Sequence, residues 1–186
     1  MKTIKLSSNV MVSDPCYSLG TWCQTKLENV LAGNYVVHTI RDDEDPDDSR
    51  NWGLVVIHED YVGKKKRWYS HGSIGVDSGQ AGIFDLASYR NDEIFEGITS
   101  KFAGEGYNIK DGGEGENWYS HMCDLTLYTQ ESWGSYDAGV VSSSGWGDGM
   151  YPLKIQKEKG KIIGIFIDFG ITPVQKKFLE SLMASS

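Results

Sequence analysis

The pattern of apolar and polar positions is that of a chain built mostly from strands. Near the start, "TIKLSSNVMVSDP" alternates at Ile4 and Leu6, breaks at a polar turn, and resumes at Val10–Val12 before Asp14-Pro15 stops it. This predicts two short strands or a hairpin. "NYVVHTI" from Asn34 and "WGLVVIHEDY" from Trp52 are dense in β-branched and aromatic residues and predict two more. "IGVDSGQAGIFD", Ile74 to Asp85, reads as a strand, a glycine-rich bend and a second strand. "MYPLKIQKEKGKIIGIFIDF" predicts a hairpin, with Tyr151, Leu153 and Ile155 opposite Ile163, Ile165, Ile167 and Phe169 across "KEKGK". Ile162 to Phe169 is apolar on both faces, which predicts a central strand.

Other stretches read differently. In "SLGTWCQTKLENVLAG", Trp22, Leu27, Val30 and Leu31 fit a short helix closed by Gly33. "NDEIFEGITSKFAG" predicts helical turns. "ENWYSHMCDLTLYTQ" sets Met122, Asp124, Thr126 and Tyr128 against Cys123, Leu125 and Leu127, which predicts a strand. In the last segment, "TPVQKKFLESLMASS", Thr172 is an N-cap followed by proline, and Val174, Phe178, Leu182 and Met183 share one face. The expected fold is a single α+β domain over residues 1–186, mainly antiparallel β, sandwich-like or as a strongly bent sheet. One or two short helices and a C-terminal amphipathic helix complete it. The tetrapeptide "WYSH" occurs at Trp68–His71 and at Trp118–His121, but no sustained period accompanies it, so it is not an architectural repeat.

Composition narrows the function classes. Aromatics at 12% and 22 glycines favour strands joined by tight turns and argue against disorder. No run approaches the roughly 20 apolar residues of a membrane helix, and "MKTIKLSSNV" lacks the apolar core of a signal peptide, so no membrane partner and a cytoplasmic location are expected. Cys16, Cys23 and Cys123 are too few for a disulfide framework and are expected as reduced thiols. Net charge is −8, and the one basic run, "GKKKRW", is a thin basis for displacing counterions from a polynucleotide, so no nucleic acid polymer is expected as partner.

The candidate chemistry lies where aspartates follow strands: Asp14 in "VSDPCY", Asp77 and Asp85 in "VDSGQAGIFD", and Asp148 in "SGWGDGMY". Each alone is ordinary turn chemistry. The stretch "GVVSSSGWGDGMYPLKI", Gly139 to Ile155, holds more hydroxyls and glycines than a turn requires, and glycine in a strand-like run marks close approach by another group. The ligand-binding residues expected from this are Asp77, Ser78, Gln80, Ser143, Ser144, Trp146 and Asp148. In that reading Trp146 stacks on a ring while hydroxyls and backbone N–H groups take phosphate or sugar oxygens.

Asp14, Asp77 and Asp148 are also the candidate ligands of a divalent metal, because hard cations take carboxylates from several segments. Other sites are weaker. Cys16, Cys23, His121 and Cys123 lack zinc-site spacing, and Asp42 to Asp48 lacks the glycine and glutamate of an EF-hand. "VDSG" resembles an aspartic-protease motif, but no second copy exists unless a homodimer supplies one. No Gly-x-Ser-x-Gly elbow is present.

The segments "SSNVMVSDP", "GNYVV", "VDSGQAGIFD", "SSGWGDGMYP" and "GKIIGIFIDF" stand in an order that resembles a family of bacterial and phage proteins known only as a domain of unknown function. The departures are Asn9 in place of a glycine, the acidic insert, the cysteine after Asp-Pro, and the longer terminal helix. The resemblance implies a shared fold and a shared pocket, and no activity. Three functions are therefore expected in competition. The first is a protein that binds a small polar, nucleotide-like ligand, a sequestering protein if from a phage. The second is a divalent-metal hydrolase using Asp14, Asp77 and Asp148. The third is a protein-interaction scaffold.

Overall fold

The computed structural model describes residues 1–41, 49–105 and 113–170. Its strands are β1 (Thr3–Leu6), β2 (Asn9–Ser13), β3 (Thr25–Glu28), β4 (Gly33–Ile40), β5 (Gly53–His58), β6 (Tyr69–Val76) and β7 (Gln80–Asp85). Helices α1 (Lys101–Gly104) and α2 (Glu116–Leu127) follow, then β8 (Trp133–Tyr136), β9 (Gly139–Ser143), β10 (Gly149–Glu158) and β11 (Lys161–Asp168). They form a six-stranded sheet in the order β1-β4-β5-β11-β10-β6 and a five-stranded sheet in the order β3-β2-β7-β9-β8. Ladders between these strands are antiparallel. The protein is thus mainly antiparallel β with few helices.

The doubly apolar sequence of β11 has a direct cause. Ile165 and Ile167 enter a cluster to which both sheets contribute, with Leu54 and Val56 of β5, Leu153 and Ile155 of β10, and Val12, Ile83 and Val140 of the second sheet. Phe166, on the other face, packs with Ile40, Trp52, Val55 and Ile57 under Tyr61, Val62 and Trp68. Burying both faces makes β11 the interior strand, between β5 and β10. The hairpin to β10 turns at Lys159 and Gly160, both at positive φ (48° and 79°), with Glu158 opposite Lys161. That two-residue turn matches the right-handed twist of the strands it joins.

Two elements differ from the sequence reading. The helix expected over Ser18–Gly33 is a set of turns followed by β3, where Leu27 is buried while Lys26 and Glu28 face solvent. Pairing with β2 selects this alternation over the helical stripe, and Trp22, expected on the buried face, is 85% exposed. The strand expected at Glu116–Gln130 is helix α2. Its buried Trp118, Met122, Cys123 and Thr126 recur at helical spacing, whereas Leu127 is exposed. Trp118 and Met122 pack with Phe84, Tyr89, Met11 and Val141 on the outer face of the five-stranded sheet. Of the two readings of the first segment, two short strands holds and a hairpin does not, since β1 and β2 join different sheets. The two "WYSH" copies differ in kind, one running into β6 and the other lying in α2. The acidic run Asp42–Asp48 and the amphipathic helix expected from Thr172 lie outside the described residues.

Gly82 of β7 lets the Phe84 ring lie back over the strand: a Cβ there would meet that ring at 2.1 Å and the Val140 carbonyl oxygen at 2.6 Å. Gly82→Ala is therefore expected to cost about 1–3 kcal/mol by overpacking. Urea unfolding followed by tryptophan fluorescence measures it, and a cost near zero would show that the α2 face repacks freely.

Candidate functional site

Three chain segments meet at one end of the two sheets: the end of β2 with Asp14, the β6–β7 turn Asp77–Gly79, and the β9–β10 connection Ser144–Asp148. Both connections pass from one sheet to the other. Such crossings leave backbone groups without ladder partners, and each must find another. The Asp14 carboxylate supplies them at the first crossing. Wholly buried, it accepts from the Asp77 and Ser78 amides at 2.8 and 2.7 Å on Oδ2. On Oδ1 it accepts from the Ser78 hydroxyl at 2.7 Å and the Cys16 amide at 2.8 Å. The second crossing is held by Tyr151, whose hydroxyl lies 2.8 Å from the carbonyls of both Ser144 and Gly147. The Ser144 hydroxyl donates to Gly147 O at 2.7 Å. The Ser144 amide donates to Gly79 O at 3.0 Å, which ties the two crossings together.

The loop after Asp14 is fixed from behind. Arg90, nearly buried, donates to the carbonyls of Pro15 and Cys16 and pairs with Glu116 at 3.0 Å, linking this loop to the start of α2. The Tyr89 hydroxyl lies 2.7 Å from Tyr17 O and 3.0 Å from Asp14 O, and accepts from the Gln24 amide at 2.8 Å. Burial pushes that hydroxyl up to about 12.

Of the expected ligand-binding residues, the structure brings some together and separates others. Asp77 is exposed and lines a cleft of ≈ 270 Å³. Tyr17, Trp22 and Cys23 from the turns before β3, and Gly149 and Met150 from the start of β10, form much of its wall. Asp148, also exposed, is the residue before Gly149. The Tyr17 hydroxyl is pushed up by burial and by its hydrogen bonds with Asp77 and Cys23. Ser78 and Ser144 turn inward to the bonds already described. Gln80 is buried against α2, its Oε1 accepting from Thr126 at 2.8 Å and its Nε2 lying 3.5 Å from Cys123 Sγ. Ser143 accepts from the buried Asn51 side chain at 3.3 Å. Trp146, 67% exposed, stands edge-to-face against Trp52 at 5.1 Å with the Arg50 guanidinium 4.7 Å from its ring. Of the seven, Asp77 is the one in the wall of this cleft.

Asp14, Asp77 and Asp148 do not form a metal-ligand set. Among the described residues no group of three or more His, Cys, Asp or Glu side chains is placed to hold an ion. Both Asp14 oxygens are already engaged. Asp85 acts as a capping acceptor, taking the Ser7 amide at 2.6 Å and the Ala87 amide at 3.1 Å. Sequence reasoning missed Tyr17, Trp22 and Met150. Assigning Trp22 to a helical stripe hid it, although the dense run of turn-forming residues before it, "SLGT", was a usable signal. Protein-family models, curated proteins and solved structures were each compared with the chain, and none matches it.

Two predictions follow from the geometry. Asp14→Ala strands several inward-facing donors and is expected to cost about 3–5 kcal/mol in urea unfolding, with Asp14→Asn costing less because one acceptor oxygen remains. Equal, small losses would show that the carboxylate is not the staple described here. The Cys16 thiol is pushed up by burial, then by the neighbouring Asp14, and Cys123 is pushed up chiefly by burial. A raised thiol pKa means the folded state keeps its proton when the unfolded chain loses it, so this contribution to stability is present below about pH 8.5 and declines above it. Iodoacetamide at pH 8 should alkylate both at least roughly tenfold more slowly in the folded than in the urea-unfolded protein.

Proposed function

We propose that the protein binds a small polar ligand bearing a cationic group in the cleft lined by Asp77, and that it holds this ligand without converting it. One observation carries the reading: neighbouring groups of the same turn face opposite ways. The Asp77 and Ser78 amides point inward to Asp14, while the Asp77 side chain lines an open cleft beside Tyr17, Trp22 and Met150. A carboxylate beside aromatic faces and a thioether suits an ammonium or guanidinium, which gains from the charge and from the ring quadrupoles together. The phosphate of a nucleotide would meet the Asp77 carboxylate instead, with the Asp77 and Ser78 amides already used by Asp14. This favours a cationic ligand over a nucleotide-like one. A metal-dependent hydrolase is less favoured, since each Asp14 oxygen already accepts two hydrogen bonds.

The reading takes the two sheets as a sandwich-like pair with the cleft at one end, supported by the apolar cluster they share. It also takes the protein as a member of the family marked by the Asp-Pro, "VDSG" and "SSG-x-GDG" segments. That all three segments meet at this end supports a shared site.

Thermal denaturation with spermidine, choline or arginine, against AMP and magnesium chloride, tests the proposal. A ligand at a hundredfold excess over its Kd adds about 2.7 kcal/mol of stability. At least one cationic compound is expected to raise Tm, and Asp77→Asn to abolish the rise with little change in the unliganded Tm. Stabilisation by AMP or magnesium alone, or by none of the five, would contradict it.

A further inference from the structure

The cations of this acidic chain are not spread evenly. The run Lys64–Arg67 lies beside the β10–β11 turn, which carries Lys157, Lys159 and Lys161. Lys66 pairs with Glu158 at 2.5 Å, and the Gln156 side chain donates to Lys66 O at 3.1 Å. The Glu158 carboxyl is held below its usual range first by Lys66, with Lys159 and Lys64 adding to it. Aromatic faces position part of the run, with Lys64 5.2 Å from the Tyr61 ring centroid and Arg67 5.3 Å from that of Tyr69.

A polar cleft of ≈ 290 Å³ adjoins this cluster, lined among others by Lys26, Asn29, His71, Lys157 and Gly160. The one carboxylate in its wall, Glu28, is paired with Lys26 at 3.1 Å. Two irregularities in the ladders of β10 fall near it, with the extra residue in β11 at the first and in β6 at the second. One shifts the register with β11 between Gln156 and Lys157, and the other shifts the register with β6 between Pro152 and Lys154, opposite the stretch that holds His71. Bulges re-aim side chains that regular alternation would place elsewhere. They are over-represented beside functional sites.

We propose that this cleft binds the phosphate group of a phosphate-bearing ligand. Lys157 and His71 are the contacting residues, with Lys26 neutralising Glu28. The surrounding lysines supply a local positive field, which a concave site concentrates and which draws an anion despite the net charge of −8. A free phosphate ester and a phospholipid headgroup share this chemistry. The site stands apart from the Asp77 cleft and does not depend on it.

Isothermal titration with inorganic pyrophosphate at fixed ionic strength tests the proposal, with circular dichroism confirming that each variant folds. Wild type is expected to bind. Lys157→Ala and His71→Ala should each weaken Kd roughly tenfold, Lys157→Arg should retain most of the affinity, and Asp77→Asn should bind like wild type. A second arm uses phosphatidylcholine vesicles containing phosphatidic acid. Sedimentation with them that pyrophosphate competes away assigns a headgroup as ligand and supports the site, and no sedimentation alongside pyrophosphate binding assigns a soluble ester and supports it equally. No heat with pyrophosphate, a Kd unchanged by Lys157→Ala and His71→Ala, vesicle binding that pyrophosphate does not compete, or loss of binding in Asp77→Asn would each overturn it.

Discussion

The four hydrogen bonds that the buried Asp14 carboxylate accepts are the constraint from which the functional end of the molecule follows. A chain that leaves one sheet for another abandons its ladder, and the amides in between must be satisfied or exposed. Here a side chain from the end of β2 enters the β6–β7 turn as an internal anion. It fills the concavity that a glycine-containing turn offers to anions in other proteins. Because Ser144 binds Gly79 O and Tyr151 holds Ser144 and Gly147, the second crossing is fixed on the first. Burying a carboxylate is costly, and four donors within 2.8 Å are what offset it.

This arrangement decides what remains for a ligand. The Asp77, Ser78 and Ser144 amides face inward, so the groups lining the cleft include the Asp77 carboxylate and the aromatic and thioether side chains beside it. That end is acidic. The basic cluster lies toward the other end of β10, where the strand turns into β11. Since β10 spans Gly149 to Glu158, the two clefts are separated by roughly 25 Å at about 3.3 Å per strand residue. One strand thus carries an acidic cleft at its start and a basic cleft at its finish, and the apolar side chains between them, Tyr151, Leu153 and Ile155, join the shared core.

Much of the strand content was legible in the sequence, because Val, Ile and aromatic residues in alternation leave little choice of structure. The β10–β11 hairpin and the bend at "VDSG" could be read directly. Segments that fit both periods were not legible. In "TKLENVL" the spacing of Leu27, Val30 and Leu31 suits a helix, and only the partner strand β2 decides otherwise. In "ENWYSHMCDLTL" a local alternation hid the larger spacing of Trp118, Met122 and Thr126, which the outer face of the five-stranded sheet selects. At the site, the sequence marked the right turns but not the directions of their side chains. Asp14, Asp77 and Asp148 looked equivalent, yet one is the internal anion and the other two face solvent. A sequence shows which residues a turn contains, whereas facing is set by which donors the crossing leaves unpaired.

Amide hydrogen exchange resolved by NMR addresses the central claim directly. If the Asp14 carboxylate holds the crossing, the Asp77 and Ser78 amides exchange slowly in the wild type, although they lie in a turn beside an open cleft. In Asp14→Ala they exchange fast, while amides in the centre of β11 stay protected. Fast exchange at Asp77 and Ser78 in the wild type, or unchanged protection once the carboxylate is removed, would contradict the account.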